Sequence, residues 1–411
     1  MNHRWLILAD DLSGAADAGV AFAARGLCTE VRWDDANAPS ADRLDVIAFD
    51  TDSRRLDALA AAERQRAAAR ALWKRGMALY KKVDSTLRGQ PAAEIAALAA
   101  CAQCTRVIFA PANPAMGRTT RAGRVWVCGR PLEDSETWRR DHTYESSDLG
   151  EALGGAGLDV VKLPLEVVRD PPALAKALRV PRPLVCDAET DADLAAIAAA
   201  AAALPDAHGT LFAGTAGLAQ ALAARHPWRR FAPLDLRPTR AGVLLVVGSL
   251  ASVSRQAAAQ VAELPGVRAV GITSRALLDP DACQRMHLGS VVAAAIAVGE
   301  DVVVEIEPET SPDLAQGPQL ARALAQCLEP ARHQLGGLVV TGGETASALL
   351  AGWYFHGIRL IEEVAPGISL GIAVGEGCVP LVTKPGGFGD ASSLALALEA
   401  LRRFKQRTVS A

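Results

Sequence analysis

At 411 residues, half of them apolar, the chain exceeds one ordinary core, so two domains of roughly 150–250 residues are expected. A net charge of −3 with no basic tract argues against nucleic acid and membrane surfaces as partners. No apolar run reaches the ~18 residues of a membrane span, and Trp5–Ala9 meets Asp10-Asp11 too early for a signal peptide, so a cytoplasmic location is expected.

In chain order, strand-like runs fall at Leu6–Ala9, Val46–Phe49, Ala78–Val83, Val107–Ala110, Leu184–Asp187 and Thr210–Ala213. Helical periodicity separates them at Ala15–Arg25, Leu56–Arg75, Ala92–Ala102 and Asp191–Leu204. The stretch 112–149 is rich in Gly, Arg and Thr with little periodicity, which suggests a long functional loop or hairpin. Pro227, Pro233 and Pro238 with clustered charge mark a linker over 229–239, between domains at 1–228 and 240–408. Beyond it, strand-like runs recur at Val243–Val247, Val267–Ile272, Val302–Ile306, Leu338–Thr341 and Val379–Thr383, with helices at Thr345–Tyr354 and Ser392–Phe404. This alternation predicts an α/β class: two domains, each a mainly parallel sheet covered by helices. The eight cysteines lie mostly in apolar segments, as reduced thiols do, and the Cys101/Cys104 pair sits in an Ala-rich helical run with no second ligand pair nearby.

Chemistry-bearing residues cluster where strands end, the usual place for ligands in open α/β sheets. Asp10-Asp11 follow the first strand; they suit hydroxyl recognition, Mg²⁺ or proton removal, or else Asp11 or Ser13 simply caps the helix with Asp10 solvated. Asp50-Thr51-Asp52-Ser53-Arg54 superficially matches an aspartyl-phosphate phosphatase loop, but an earlier strand and acid pair precede it; Ser53 and Arg54 as binders of a substrate carboxylate is the favoured reading. In Lys81-Lys82-Val83-Asp84-Ser85-Thr86-Leu87-Arg88-Gly89, Lys82 and Asp84 share a face if both are in a strand, and the density of polar groups exceeds what a core needs. Only seven lysines occur in the chain, and Lys81, Lys82 and Lys384 fall in such loops. Arg118 with Thr119 and Thr120 either lines a cleft or belongs to a rigid loop.

Three further loops share a strand–glycine–helix design: Gly248-Ser249, Gly342-Gly343-Glu344-Thr345-Ala346, and Lys384-Pro385-Gly386-Gly387-Phe388-Gly389-Asp390. Glycine permits close backbone approach, and helix N-termini attract phosphate. The chain has neither a Walker A motif nor GxGxxG, and its histidines show no ligand spacing.

Together, ADDLSGAADAGVAFAARG (9–26), DSRRL (52–56), KKVDSTLRG (81–89), PANPAMGRTT (111–120), AGTAGLA (213–219), VGSLASVSRQ (247–256), TGGETASALL (341–350), PGISLG (366–371) and TKPGGFGD (383–390) resemble the four-carbon acid sugar kinase family across essentially the whole chain. The resemblance implies ATP-dependent phosphorylation of the terminal hydroxyl of threonate, erythronate or a 3-oxotetronate, in a cleft between a sugar-acid domain and an ATP domain that close on each other. Residue by residue, it makes Asp11, Arg54, Lys82, Asp84 and Ser85, with Arg88 beside them, substrate contacts, and Ser249, Gly342–Ala346, Gly386 and Gly387 nucleotide contacts. Asp84 or Asp11 is then the catalytic acceptor of the hydroxyl proton, and Mg²⁺ accompanies ATP, with its ligands unassigned. Departures are Met116 for an expected glutamine, Leu250 and Val253 for Cys and Pro, Pro385 for Ser, and the extra acid Asp50. The run Asp10–Gly19 is closer to the threonate/erythronate members. Other classes to weigh are an aspartyl-phosphate phosphatase using Asp50 and Asp52, and a non-catalytic acid-sugar sensor. A homodimer is the general prior.

Overall fold

The computed structural model describes residues 4–33, 44–204, 209–229, 239–249, 251–279, 281, 283–307 and 316–409. Positions 230–238 of the predicted linker, and Leu250, lie outside the described residues. The chain divides into two compact units, Met1–Phe231 and Ala232–Ala411.

The first unit holds β1 (Trp5–Ala9), β2 (Thr29–Arg32), β3 (Val46–Asp50), β4 (Ala78–Lys82), β5 (Arg106–Ala110), β6 (Arg118–Arg121), β7 (Arg124–Val127), β8 (Arg130–Pro131), β9 (Val161–Leu163), β10 (Pro183–Cys186) and β11 (Thr210–Gly214). Eight of these form a sheet in the order β2-β3-β1-β4-β11-β5-β10-β9, every described pairing parallel. Its inner strands are continuous apolar runs, as both faces are covered; all five residues of β1 are buried. The helix Leu12–Ala23, built from Ala, Gly and a few larger apolar residues, is buried along its whole length. Small side chains let it pack closely on β3 and on the helix Ala216–Ala223.

The aperiodic stretch 112–149 contains a small antiparallel sheet, β6-β7-β8. It is tied to the main sheet by Asp187, whose carboxylate accepts from the amides of Ala122 (2.7 Å) and Gly123 (2.9 Å). The strands are short, Arg-Thr-Thr-Arg, Arg-Val-Trp-Val and Arg-Pro, too brief and too polar to show an apolar period in sequence.

The second unit holds β12 (Val243–Val247), β13 (Val267–Ile272), β14 (Asp301–Ile306), β15 (Gly337–Thr341), β16 (Gly357–Ala365), β17 (Ile368–Val374) and β18 (Cys378–Lys384). The order is β13-β14-β12-β15-β18-β17-β16; the first five are parallel, while β17 pairs antiparallel to both β18 and β16. The β16–β17 hairpin escaped the sequence reading because Arg359, Glu362 and Glu363 interrupt its apolar pattern. All eight cysteines are free. Among the described residues no helix is long and apolar enough to cross a membrane.

Candidate active site

In the first unit β3, β1 and β4 are neighbours in that order, so the loops leaving their carboxyl ends lie side by side. The chain leaves β1 for β2 and β3 on one flank and later supplies β4 on the other, which makes this the topological switch point of the sheet. Each loop delivers part of one cluster. Asp11 ends the β1 loop and caps the helix Leu12–Ala23, accepting from the Gly14 amide at 2.7 Å. Its other oxygen receives Arg54 Nη1 at 2.6 Å. Arg54, from the β3 loop, also forks onto Asp10 through Nε (2.8 Å) and Nη2 (2.9 Å), and Nη2 lies 3.9 Å from Asp84. Asp84, from the β4 loop, is gripped by Arg88 through Nε (3.0 Å) and Nη2 (2.8 Å) and accepts from the amide of Thr86 at 3.1 Å.

The β4 loop approaches closely because residue 89 is glycine: a Cβ there would sit 2.9 Å from Asp10 Oδ2, and its φ of +77° is a left-handed backbone that side chains rarely adopt. Leu87 adopts a left-handed backbone too (φ 59°), a cost of ~1 kcal/mol or more for an L-residue that its buried side chain helps to hold.

Charge separates the acids into two states. Burial raises the Asp84 carboxyl, but Arg88 and Arg54 outweigh it and hold Asp84 well below the usual carboxylate range. Burial likewise opposes ionisation of Asp10, and Arg54 then brings it below its ordinary value. Asp50, at the end of β3, has no such partner: burial first, then the charge of Asp11, pushes it well above the ordinary range. A buried acid whose ionisation is opposed in this way is poorly suited to be the ionised nucleophile of a phosphatase.

The two adjacent lysines have different work, because successive strand residues face opposite ways. Lys81 is fully buried and pairs with Glu94 at 2.9 Å, in a network where Ser53 bonds Glu94 and Thr51. Lys82 donates to the Val83 carbonyl (3.1 Å) and lies 3.7 Å from Asp17. Two expectations are corrected here. Asp84 lies beyond the end of β4, so it does not share a strand face with Lys82 and pairs with arginines instead. Ser53 is wholly buried in the Glu94 network, away from the Arg54 guanidinium's partners. Ser85 is buried in the same turn as Asp84. Sequence reasoning missed the parts played by Asp10, taken in its bland reading as a solvated acid but buried and chelated by Arg54, and by Thr86.

In the second unit the three adjacent strands β12, β15 and β18 each run into a glycine loop. The loops touch: a Cβ on Gly386 would sit 2.2 Å from Ser249 Oγ, and one on Gly248 would sit 2.0 Å from Thr345 Oγ1. Two helices begin here, Ser252–Ala262 and Gly343–Gly352, and neither has a side-chain cap at its N-terminus. In the first unit the helices at Leu12, Ala58, Asp191 and Ala216 have one, while that at Pro91 does not. Uncapped first-turn N–H groups grouped in this way are suited to phosphate oxygens. Glu344 is exposed in the first turn and Thr345 is buried. Ala346 already spends its amide on the Gly342 carbonyl (2.9 Å) and its side chain is buried, so it packs rather than offering a donor. Gly387 is exposed, and a Cβ on it would meet nothing within 4 Å.

An acid-and-cation cluster on one unit and a glycine cradle on the other are the makeup of a phosphotransferase. Residues 5–222 match a family model described as a sugar-binding N-terminal domain, and 244–394 match a nucleotide-binding C-terminal domain. The chain is 40% identical to a D-threonate kinase of Cupriavidus necator, over 97% of this chain and 98% of that one. It is 34% identical to a D-threonate kinase of Bordetella bronchiseptica, with 96% and 97% covered. A D-erythronate kinase of Heliobacterium modesticaldum is 27% identical, with 96% of each chain covered. A solved Salmonella typhimurium structure, described there as a tRNA synthase, aligns with a TM-score of 0.81 at 21% identity, covering 96% of this chain and 98% of that one; at that identity it speaks for the fold alone. The chain belongs to the four-carbon acid sugar kinase family and is a sugar-acid kinase.

Proposed function

We propose that this chain is a cytoplasmic kinase that uses ATP and Mg²⁺ to phosphorylate the 4-hydroxyl of D-threonate or D-erythronate. Residues 1–228 bind the acid and 240–408 bind the nucleotide. The observation that carries this reading is the Arg54–Asp10–Asp11–Asp84–Arg88 cluster at three neighbouring strand ends. It offers both carboxylates for hydroxyls and guanidinium edges for an anion.

Arg54 has five N–H donors, three of them engaged by Asp10 and Asp11. The others, with Lys82 and Ser85, hold the substrate carboxylate. Asp11 and Asp84 accept hydroxyl hydrogens, and Arg88 keeps Asp84 ionised for that task. A carboxylate of such low basicity suits phosphoryl transfer with a loose transition state, where positioning and charge neutralisation dominate over early proton removal.

In the second unit Ser249, Gly342, Gly343, Thr345, Gly386 and Gly387 surround the triphosphate. Mg²⁺ needs only one or two carboxylates when phosphates supply the rest. No group of three or more His, Cys, Asp or Glu that would cage a metal occurs among the described residues, and Glu344 stands at the edge of the cradle. The donor set therefore fits Mg²⁺ carried by the nucleotide, with Glu344 as its protein contact; bound there, it neutralises phosphate charge.

An ADP-release screen over D- and L-threonate, D- and L-erythronate and 3-oxotetronates tests the reading. Turnover is expected on a D-tetronate, with the new phosphate on the terminal carbon by NMR. Turnover confined to 3-oxotetronates, or none on any four-carbon acid, would contradict it.

A further inference from the structure

Lys384 closes β18 just before the Pro385-Gly386-Gly387 loop and is 1% exposed. Its ammonium donates to Ser254 Oγ at 3.0 Å and to the Pro385 carbonyl at 3.3 Å. Ser254, itself fully buried in the first turn of the helix Ser252–Ala262, donates on to the Gly386 carbonyl at 2.7 Å. The Lys384 carbonyl meanwhile accepts from the Gly342 amide at 2.9 Å. One residue thus ties together all three elements of the cradle: the β18 loop, the β15 loop and the helix after β12.

The hydrogen-bond directions are forced. An ammonium has protons to give and no lone pair. Ser254 Oγ must therefore accept from Lys384, which leaves its own proton for Gly386. A neutral amine has a lone pair, so Ser254 can turn its proton to the lysine and release the Gly386 carbonyl. The charge also stands two hydrogen bonds from the glycine loop, inside a poorly screened interior.

We propose that Lys384 is the positioning cation of the nucleotide cradle: its protonated form, acting through Ser254, fixes the Gly386-Gly387 loop and adds positive potential beneath the phosphates of ATP. This inference rests on the assignment of nucleotide to the second unit. Burial lowers the Lys384 ammonium to about 8, an effect that Asp390, the charged group acting on it from the same loop, partly offsets. A bound polyphosphate favours the ammonium. ATP binding above that pH therefore draws a proton onto the lysine, and affinity falls as pH rises past it.

The test is calorimetric titration of the full-length protein with Mg-ATP, without sugar acid, in buffers of different ionisation enthalpy, at pH near 7 and near 9. The wild type is expected to take up a substantial fraction of a proton per ATP near pH 9. Lys384→Met should weaken ATP about tenfold near pH 7 and abolish the alkaline proton uptake. Lys384→Arg should hold the wild type's pH 7 affinity up to pH 9, where the wild type's own has fallen, and the KM for sugar acid should move little in any variant. Ser254→Ala should weaken ATP severalfold while the proton uptake remains. If Lys384→Met does not fold, the wild-type proton uptake and Ser254→Ala decide. ATP binding by the wild type with no proton linkage, or unchanged ATP affinity in folded Lys384→Met, overturns this inference alone. A wild type that does not bind ATP overturns the nucleotide assignment and this inference with it.

Discussion

Among single residues, Lys81 and Lys82 are one bond apart in sequence and far apart in consequence. Lys81 neutralises Glu94 inside the core. Lys81→Met leaves a buried, uncompensated carboxylate and should cost about 3–5 kcal/mol of stability, read as a lowered denaturant midpoint. Lys82 sits at the strand end among the site loops, also buried and 3.7 Å from buried Asp17, so Lys82→Met should lower the midpoint less than Lys81→Met but, unlike it, raise the KM for sugar acid; an unchanged KM in the Lys82 variant would remove Lys82 from the site. Asp84→Asn should cut turnover by roughly 10²-fold or more with ATP binding near normal; wild-type turnover would remove Asp84 from the chemistry. Asp50 gives a pH test. Its folded-state pKa is raised, so the folded chain binds a proton that the unfolded chain has already released, and stability falls as pH climbs through that range. Asp50→Asn imitates the protonated acid and can still accept from the Asp52 amide. Thermal melts should show the variant gaining on wild type as pH rises from about 4 towards neutrality; parallel melting curves would show Asp50 ionised.

At the scale of elements, the same device appears twice: three adjacent parallel strands whose carboxyl ends release three loops. In the second unit, Gly387 tests it most simply, since a side chain there meets only open space. Gly387→Val should fold normally and raise the ATP KM about tenfold or more, roughly 1.4 kcal/mol; unchanged ATP affinity would place the phosphates elsewhere. Most of these elements were legible in sequence. Continuous apolar strands such as Leu6–Ala9 and Val243–Val247 announce themselves because both faces are buried. The strands of 118–131 and the β16–β17 hairpin did not, because Arg, Thr and Glu interrupt their apolar pattern. Motif residues such as Asp11, Arg54, Asp84 and Arg88 were found in sequence and do meet in space. Their partners were harder to see. Asp10 reads as a solvated acid until Arg54 is seen to chelate it, and the Lys384–Ser254 link spans 130 positions that no local spacing connects.

At the scale of the whole molecule, the proposed function divides labour between two units of one chain. Two anions must be neutralised before one can attack the other, and in the proposed function the cations of the first unit and the N–H groups of the second do so separately. Hydrogen exchange on the full-length chain tests this division most directly, comparing D-threonate alone with a non-hydrolysable ATP analogue and Mg²⁺ alone. The account predicts that the sugar acid protects amides of residues 10–14, 52–55 and 83–89, and that the nucleotide protects 248–255, 342–346 and 385–390. Protection of one and the same unit by both ligands would contradict it.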